Sequence, residues 1–65
     1  MRVYAIVSGN DVYVGDVHGK VSLAVVVQAC IGMHAVGVSL HGEWDGEVYS
    51  GEMSVKDALA LTVGG

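Results

Sequence analysis

The chain has 65 residues, 52% of them hydrophobic, and seven acidic side chains against three basic ones give it a formal net charge of -4. This length allows one domain, residues 1–65, and a domain of this size buries only about 60% of its unfolded surface, so we expect support from a partner chain or self-association. The apolar content argues against disorder, the single Cys30 excludes an intramolecular disulfide, and the acidic balance disfavours direct binding of nucleic acid.

The first predicted element is a β-hairpin built from residues 2–8 and 11–17. Gly9-Asn10 lies between these two alternating segments and suits a two-residue turn with glycine at its first central position. That turn would place Val7 opposite Val12 and Ala5 opposite Val14. Because both faces of the hairpin carry apolar side chains, we expect it to lie centrally in a sheet or to be covered by a second chain.

The junction that follows the first hairpin reads Gly15-Asp16-Val17-His18-Gly19. It resembles the first metal-binding motif of calcineurin-like metallophosphoesterases, in which the Asp and the His at these two positions ligate metal. The resemblance implies a metal-dependent phosphoesterase fragment that uses Asp16 and His18. The family's further Asp, Asn and His ligands have no counterparts in their motif contexts here, so we interpret both residues as turn residues and keep the phosphoesterase as the alternative.

The middle segment, 22–33, reads as a helix with Ser22 as its N-cap, although three consecutive valines also permit a third strand. Apolar residues recur there at helical spacing. The stripe comprises Leu23, Val26, Val27, Cys30, Ile31 and His34. On this stripe, Cys30 reads as a small buried hydrophobe.

Residues 21–40 contain no charge, which raises a second alternative, a small membrane protein that spans this range. Polar and glycine residues within the range make a membrane span the weaker interpretation.

The second hairpin, within residues 36–53, gives the clearest signal in the chain. Asp45-Gly46 predicts a type I′ turn and therefore a register that pairs Trp44 with Glu47 and His41 with Ser50. On the polar face of this hairpin His41 is either a pH-sensitive contact or an ordinary surface residue.

The last element is a short helix that begins after Ser54 in a sequence resembling a capping box, with Asp57 in place of the usual Glu. The elements together predict an α+β fold of order ββαββα. In this fold two β-hairpins form an antiparallel sheet, and one or two short helices pack on one face.

No catalytic constellation is recognisable, and we expect no metal site and no cofactor. With no secretory signal visible, we expect a cytoplasmic protein. The second hairpin instead suggests an aromatic pair with an acidic rim, unless these acids only keep the hairpin soluble and the rings pack under the last helix. The predicted partner-binding residues are Trp44, Tyr49, Glu43, Asp45, Glu47 and Glu52. We therefore expect a small non-enzymatic protein-binding module that self-associates and acts as an inhibitor or adaptor by occluding a basic surface of a larger protein.

Overall fold

The computed structural model describes residues 1–63, which form one four-stranded antiparallel sheet and two helices in the order ββαββα. This confirms the predicted fold class. The elements are β1 (Arg2–Val7), β2 (Asn10–Asp16), α1 (Lys20–Gly32), β3 (Gly37–Trp44), β4 (Glu47–Met53) and α2 (Val55–Ala60).

The strand order in the sheet is β2-β1-β3-β4, so the two hairpins meet where β1 pairs with β3. Alternate residues of these central strands, including Val3, Ala5, Val38 and Leu40, have no exposed surface. They form the core with buried residues of α1 and α2, so both helices lie on the same side of the sheet. The opposite side of the sheet carries no element of residues 1–63.

The second hairpin has the predicted register. Trp44 pairs with Glu47 and His41 with Ser50. Asp45 and Gly46 have φ angles of 51° and 81°, as a type I′ turn requires at both central positions.

The predicted register of the first hairpin is wrong. Its turn is Ser8-Gly9, with φ angles of 52° and 80°, so Val7 faces Asn10 rather than Val12. This turn is also of the I′ kind, whose twist matches that of the flanking strands. Of the two expected placements for this hairpin, β1 takes the central one and β2 forms an edge of the sheet.

A β-bulge interrupts the pairing of β1 with β2. Val3 faces Gly15 and Tyr4 faces Tyr13, so Val14 is an extra residue on β2, and it packs against the core. An insertion of one residue changes the face on which the following side chains lie. The side chains of Tyr13 and Asp16 therefore lie on the same face, although they are three residues apart.

The middle segment is a helix, as preferred, but its predicted start is wrong. The N-cap is Gly19, and Ser22 is the third helical residue. Its Oγ accepts hydrogen bonds from the backbone N–H groups of His18 and Gly19, at 2.9 and 3.1 Å. The Ser22 hydroxyl thus accepts from backbone N–H groups that precede the helix, although Ser22 itself lies in the first helical turn. The prediction was wrong because it placed the serine at the N-cap position.

The apolar stripe of α1 is narrower than predicted. Leu23, Val27 and Cys30 are fully buried, whereas Ile31 is 40% exposed and His34 lies beyond the helix end in an exposed turn. His34 has a φ of 59°, so the chain has already left the helical conformation there. The outer side of α1 is also apolar, since Val25 is 65% exposed.

The range 21–40 is not a single helix, because α1 ends at Gly32 and β3 begins at Gly37. Neither helix within residues 1–63 combines the length and the apolar character needed to cross a bilayer. The alternative of a helix spanning 21–40 is therefore wrong.

The last helix begins as predicted. Ser54 is its N-cap, and the Ser54 Oγ accepts a hydrogen bond from the Asp57 N–H at 3.0 Å. Ala58 is buried against the core. The cap thus orients α2 so that its apolar side covers the sheet next to β3.

Candidate functional site

The fold leaves the side of the sheet opposite the helices uncovered among residues 1–63, and we call it the open face. Strand pairing assigns its side chains, because paired residues share a face. They are Arg2, Tyr4, Ile6, Asp11, Tyr13, Asp16, Ser39, His41, Glu43, Val48, Ser50 and Glu52.

An aromatic row crosses the middle of the open face. The ring centroid of Tyr4 is 5.6 Å from that of Tyr13 on one side and 5.6 Å from that of His41 on the other, with edge-to-face geometry in both pairs. This geometry is the favourable one for aromatic contacts. The row spans three adjacent strands and ends at Tyr13, which is 54% exposed.

The bulge in β2 fixes one end of this row. The Tyr13 hydroxyl donates a hydrogen bond of 2.9 Å to Oδ1 of Asp16. This bond is the main reason that the pKa of Tyr13 is raised above its ordinary value, since losing the phenolic proton would break the bond. The ring is thus held by its hydroxyl as well as by Tyr4.

The other end of the row contains a serine–histidine pair. Ser39 Oγ and His41 Nε2 lie 2.6 Å apart and share a hydrogen bond. Ser39 is only 3% exposed, so its hydroxyl is not accessible to a substrate, whereas His41 is exposed. We therefore read this pair as a polar contact that orients the imidazole beside Tyr4.

The charges on the open face are predominantly negative. Four carboxylates, those of Asp11, Asp16, Glu43 and Glu52, surround the aromatic row, while Arg2 supplies the one basic side chain of Lys or Arg type. All five of these residues are exposed. The open face thus combines an aromatic centre with an acidic periphery.

The predicted partner-binding residues do not share one surface. Glu43 and Glu52 lie on the open face. The other four, Trp44, Asp45, Glu47 and Tyr49, line a cavity of about 400 Å³ on the helix side, at the end of the second hairpin. Lys20, the end of α2 and the residues that follow it also line this cavity.

Trp44 and Tyr49 contact each other within the packed layer, with ring centroids 6.5 Å apart. Trp44 is 6% exposed and Tyr49 is half-buried. Of the two placements considered for these rings, packing rather than exposure therefore holds for Trp44. Its Nε1–H is buried and has no hydrogen-bond partner within the described part of the chain.

Asp16 and His18 do not converge on a common centre. Asp16 accepts the hydrogen bond from Tyr13, and His18 is exposed in the loop before α1. Within residues 1–63, no three His, Cys, Asp or Glu side chains are grouped so that they could hold a metal ion. Cys30 is fully buried, and this burial raises the pKa of its thiol, as expected for a packed cysteine rather than a nucleophile.

Tyr4, Tyr13 and Asp11 were not anticipated as site residues, and Asp16 was considered only as a metal ligand. Because both faces of the first hairpin carry apolar side chains, its sequence did not show which side the helices cover. That choice depends on the packing of α1 and α2.

No family model, no curated protein and no solved structure matches this chain.

Proposed function

We propose that this protein is a non-enzymatic binding module whose open face docks on a basic surface of a larger protein and occludes it. The observation that carries the proposal is the aromatic row of Tyr13, Tyr4 and His41, which lies uncovered at the centre of an acidic sheet face.

The aromatic row supplies the contact area for binding. Tyrosine is enriched at the energetic centres of protein interfaces, because a large ring buries much area and its hydroxyl still forms hydrogen bonds. The rings of Tyr4 and Tyr13 pack against each other, and the hydroxyl of Tyr13 donates a hydrogen bond to Asp16. Side chains ordered before binding lose less conformational entropy when the partner arrives.

The acidic periphery determines the partner's chemistry. Asp11, Asp16, Glu43 and Glu52 would attract a Lys- or Arg-rich surface and repel a phosphate backbone. Two of the predicted residues, Glu43 and Glu52, thus keep their proposed role. Asp45 and Glu47, at the adjacent hairpin end, extend the negative potential, while Trp44 supports the hairpin from its buried position.

The first test is affinity capture from a cell extract with immobilised wild-type protein and two variants. Tyr13→Ser removes the exposed end of the aromatic row, and Val25→Ser is the matched control on the outer side of α1. We expect a protein retained by the wild type and by Val25→Ser but lost with Tyr13→Ser. Retention by all three, or loss with Val25→Ser alone, would contradict the open-face site.

The acidic periphery is tested with the captured protein once it is purified. Replacing Glu43 and Glu52 together with Gln should slow association and flatten its dependence on salt, because these charges steer a basic partner toward the open face. Association rates measured across a salt series give the result. An unchanged rate and salt dependence would show that these acids serve solubility only.

No specific observation favours the phosphoesterase alternative, because Asp16 is engaged with Tyr13 and His18 lies apart from it. We therefore do not pursue it as a second function.

A further inference from the structure

The sheet has two edges, and they differ in how they are protected. Edge strands expose unpaired backbone N–H and C=O groups, and proteins block them with bulges, charges or proline. On β2 the bulge at Val14 breaks the regular spacing of these groups, and Asp11 and Asp16 add charge. Strand β4 also carries two charges, Glu47 and Glu52, but it pairs with β3 without any irregularity from Glu47 to Met53, and it contains no Lys and no Pro.

The turn of the second hairpin shows which groups of β4 face outward. The pair that flanks a two-residue turn, Trp44 and Glu47, is hydrogen-bonded, and hydrogen-bonded pairs alternate with non-bonded ones along an antiparallel ladder. The backbone groups of Val48, Ser50 and Glu52 therefore point away from β3. They form a regular row along the outer edge of β4.

This edge is complementary to itself when Ser50 lies on a two-fold axis. An antiparallel second copy of β4 would then place Ser50 opposite Ser50, and Val48 opposite Glu52. Each of these facing pairs can exchange two backbone hydrogen bonds. No carboxylate faces a carboxylate across the junction, and directly opposed like charges are the arrangement that would oppose such pairing.

The other residues of β4, whose side chains lie on the helix side of the sheet, are also compatible with this register. Tyr49 would lie opposite Gly51, and Glu47 opposite Met53, all on the helix side of the sheet. A tyrosine ring covers the space left by a glycine on the neighbouring strand. On the open face Val48, which is 78% exposed, would pack against the methylene groups of Glu52.

We propose that two copies of this chain associate through β4, which joins their sheets into one continuous eight-stranded antiparallel sheet. The second copy binds in the plane of the sheet and leaves the aromatic row of each copy uncovered. The dimer would thus present two aromatic rows on one surface. This association does not use the aromatic row, so it can be measured in the absence of the basic partner.

The test measures the solution mass by sedimentation for the wild type and for two charge variants at the two-fold position. The wild type should have the mass of two chains. Ser50→Lys and Ser50→Glu should each be monomeric. In a hydrogen-bonded pair the two Cα atoms at the axis lie about 5.5 Å apart, so the two substituted side chains would place like charges opposite each other. An equimolar mixture of the two variants should recover the dimer mass, since lysine then faces glutamate.

Recovery in the mixture separates loss of association from loss of folding, because an unfolded variant would not be rescued by its counterpart. Asp11→Lys, on the other edge of the sheet, is the control and should remain dimeric. A monomeric wild type up to millimolar concentration, a dimeric Ser50→Lys variant, or a mixture that stays monomeric would each overturn the proposal.

Discussion

Trp44 shows at the scale of one residue why a large aromatic ring in a hairpin need not bind a partner. Its ring is almost fully covered, it contacts Tyr49, and its Nε1–H is buried without a hydrogen bond to any of residues 1–63. Burying a polar group without a partner costs about 1–3 kcal/mol. Trp44 therefore stabilises the fold through the area that its ring buries, and its unpaired indole N–H reduces this stabilisation.

Two substitutions at Trp44 separate the effect of the buried ring area on stability from that of the unpaired indole N–H. We expect Trp44→Ala to lower the free energy of unfolding by about 3–5 kcal/mol, because it leaves a cavity beside Tyr49. Trp44→Phe should cost clearly less, since it keeps most of the packed area and removes the unpaired donor. Urea denaturation followed by circular dichroism measures both, and equal losses for the two variants would contradict this account.

Cys30 gives stability a pH dependence of known sign. Burial raises the pKa of its thiol, so the unfolded chain loses the thiol proton at a lower pH than the folded chain. The unfolded state then binds fewer protons, and the free energy of unfolding falls as the pH rises through the ordinary thiol value of 9.0.

The matched control for this effect is Cys30→Ala, which lacks the titrating group. We expect the wild type to lose more stability than the variant between neutral pH and a pH above 9.0, measured by urea denaturation at each pH. Parallel losses in the two proteins would show that the thiol does not contribute.

At the scale of the elements, local turn chemistry explains which predictions succeeded. Asp45-Gly46 offers one well-matched I′ turn, and the register of the second hairpin followed from it. In the first hairpin the turn is Ser8-Gly9 rather than the predicted Gly9-Asn10, and the pairing of β1 with β2 also has a bulge at Val14. Gly15 lies inside β2 next to Val14, and a glycine within a strand often marks a bulge, a signal that the prediction did not use.

The N-cap of α2 is a local feature with a measurable effect. Ser54→Ala should lower the free energy of unfolding by about 1 kcal/mol, because the Asp57 N–H loses its acceptor. Ser54→Asp keeps an acceptor at the same position and should retain most of the stability. Thermal unfolding of the three proteins gives the comparison, and no difference between wild type and Ser54→Ala would contradict the role of the cap.

At the scale of the whole molecule, the fold class was predictable but the location of the candidate site was not. Alternation predicted a polar and an apolar face for the second hairpin, and the order of elements predicted helices on one face of the sheet. The assignment of the covered side requires contacts between α1, α2 and β3 that are distant in sequence. For this reason the sequence directed attention to Trp44 and Tyr49, whereas the structure exposes Tyr13 and the edge of β4.

The junction between β1 and β3 also determines how fast the chain can fold. Each hairpin closes a two-residue turn, an event that takes about 1–10 μs, but pairing Ala5 with Val38 requires the intervening chain to form a large loop first. We therefore expect Ala5→Gly to slow refolding in stopped-flow experiments, while Val12→Ala, on the edge strand β2, mainly accelerates unfolding. The expected rate-limiting event is then the docking of two preformed hairpins, and refolding of Ala5→Gly at the wild-type rate would contradict it.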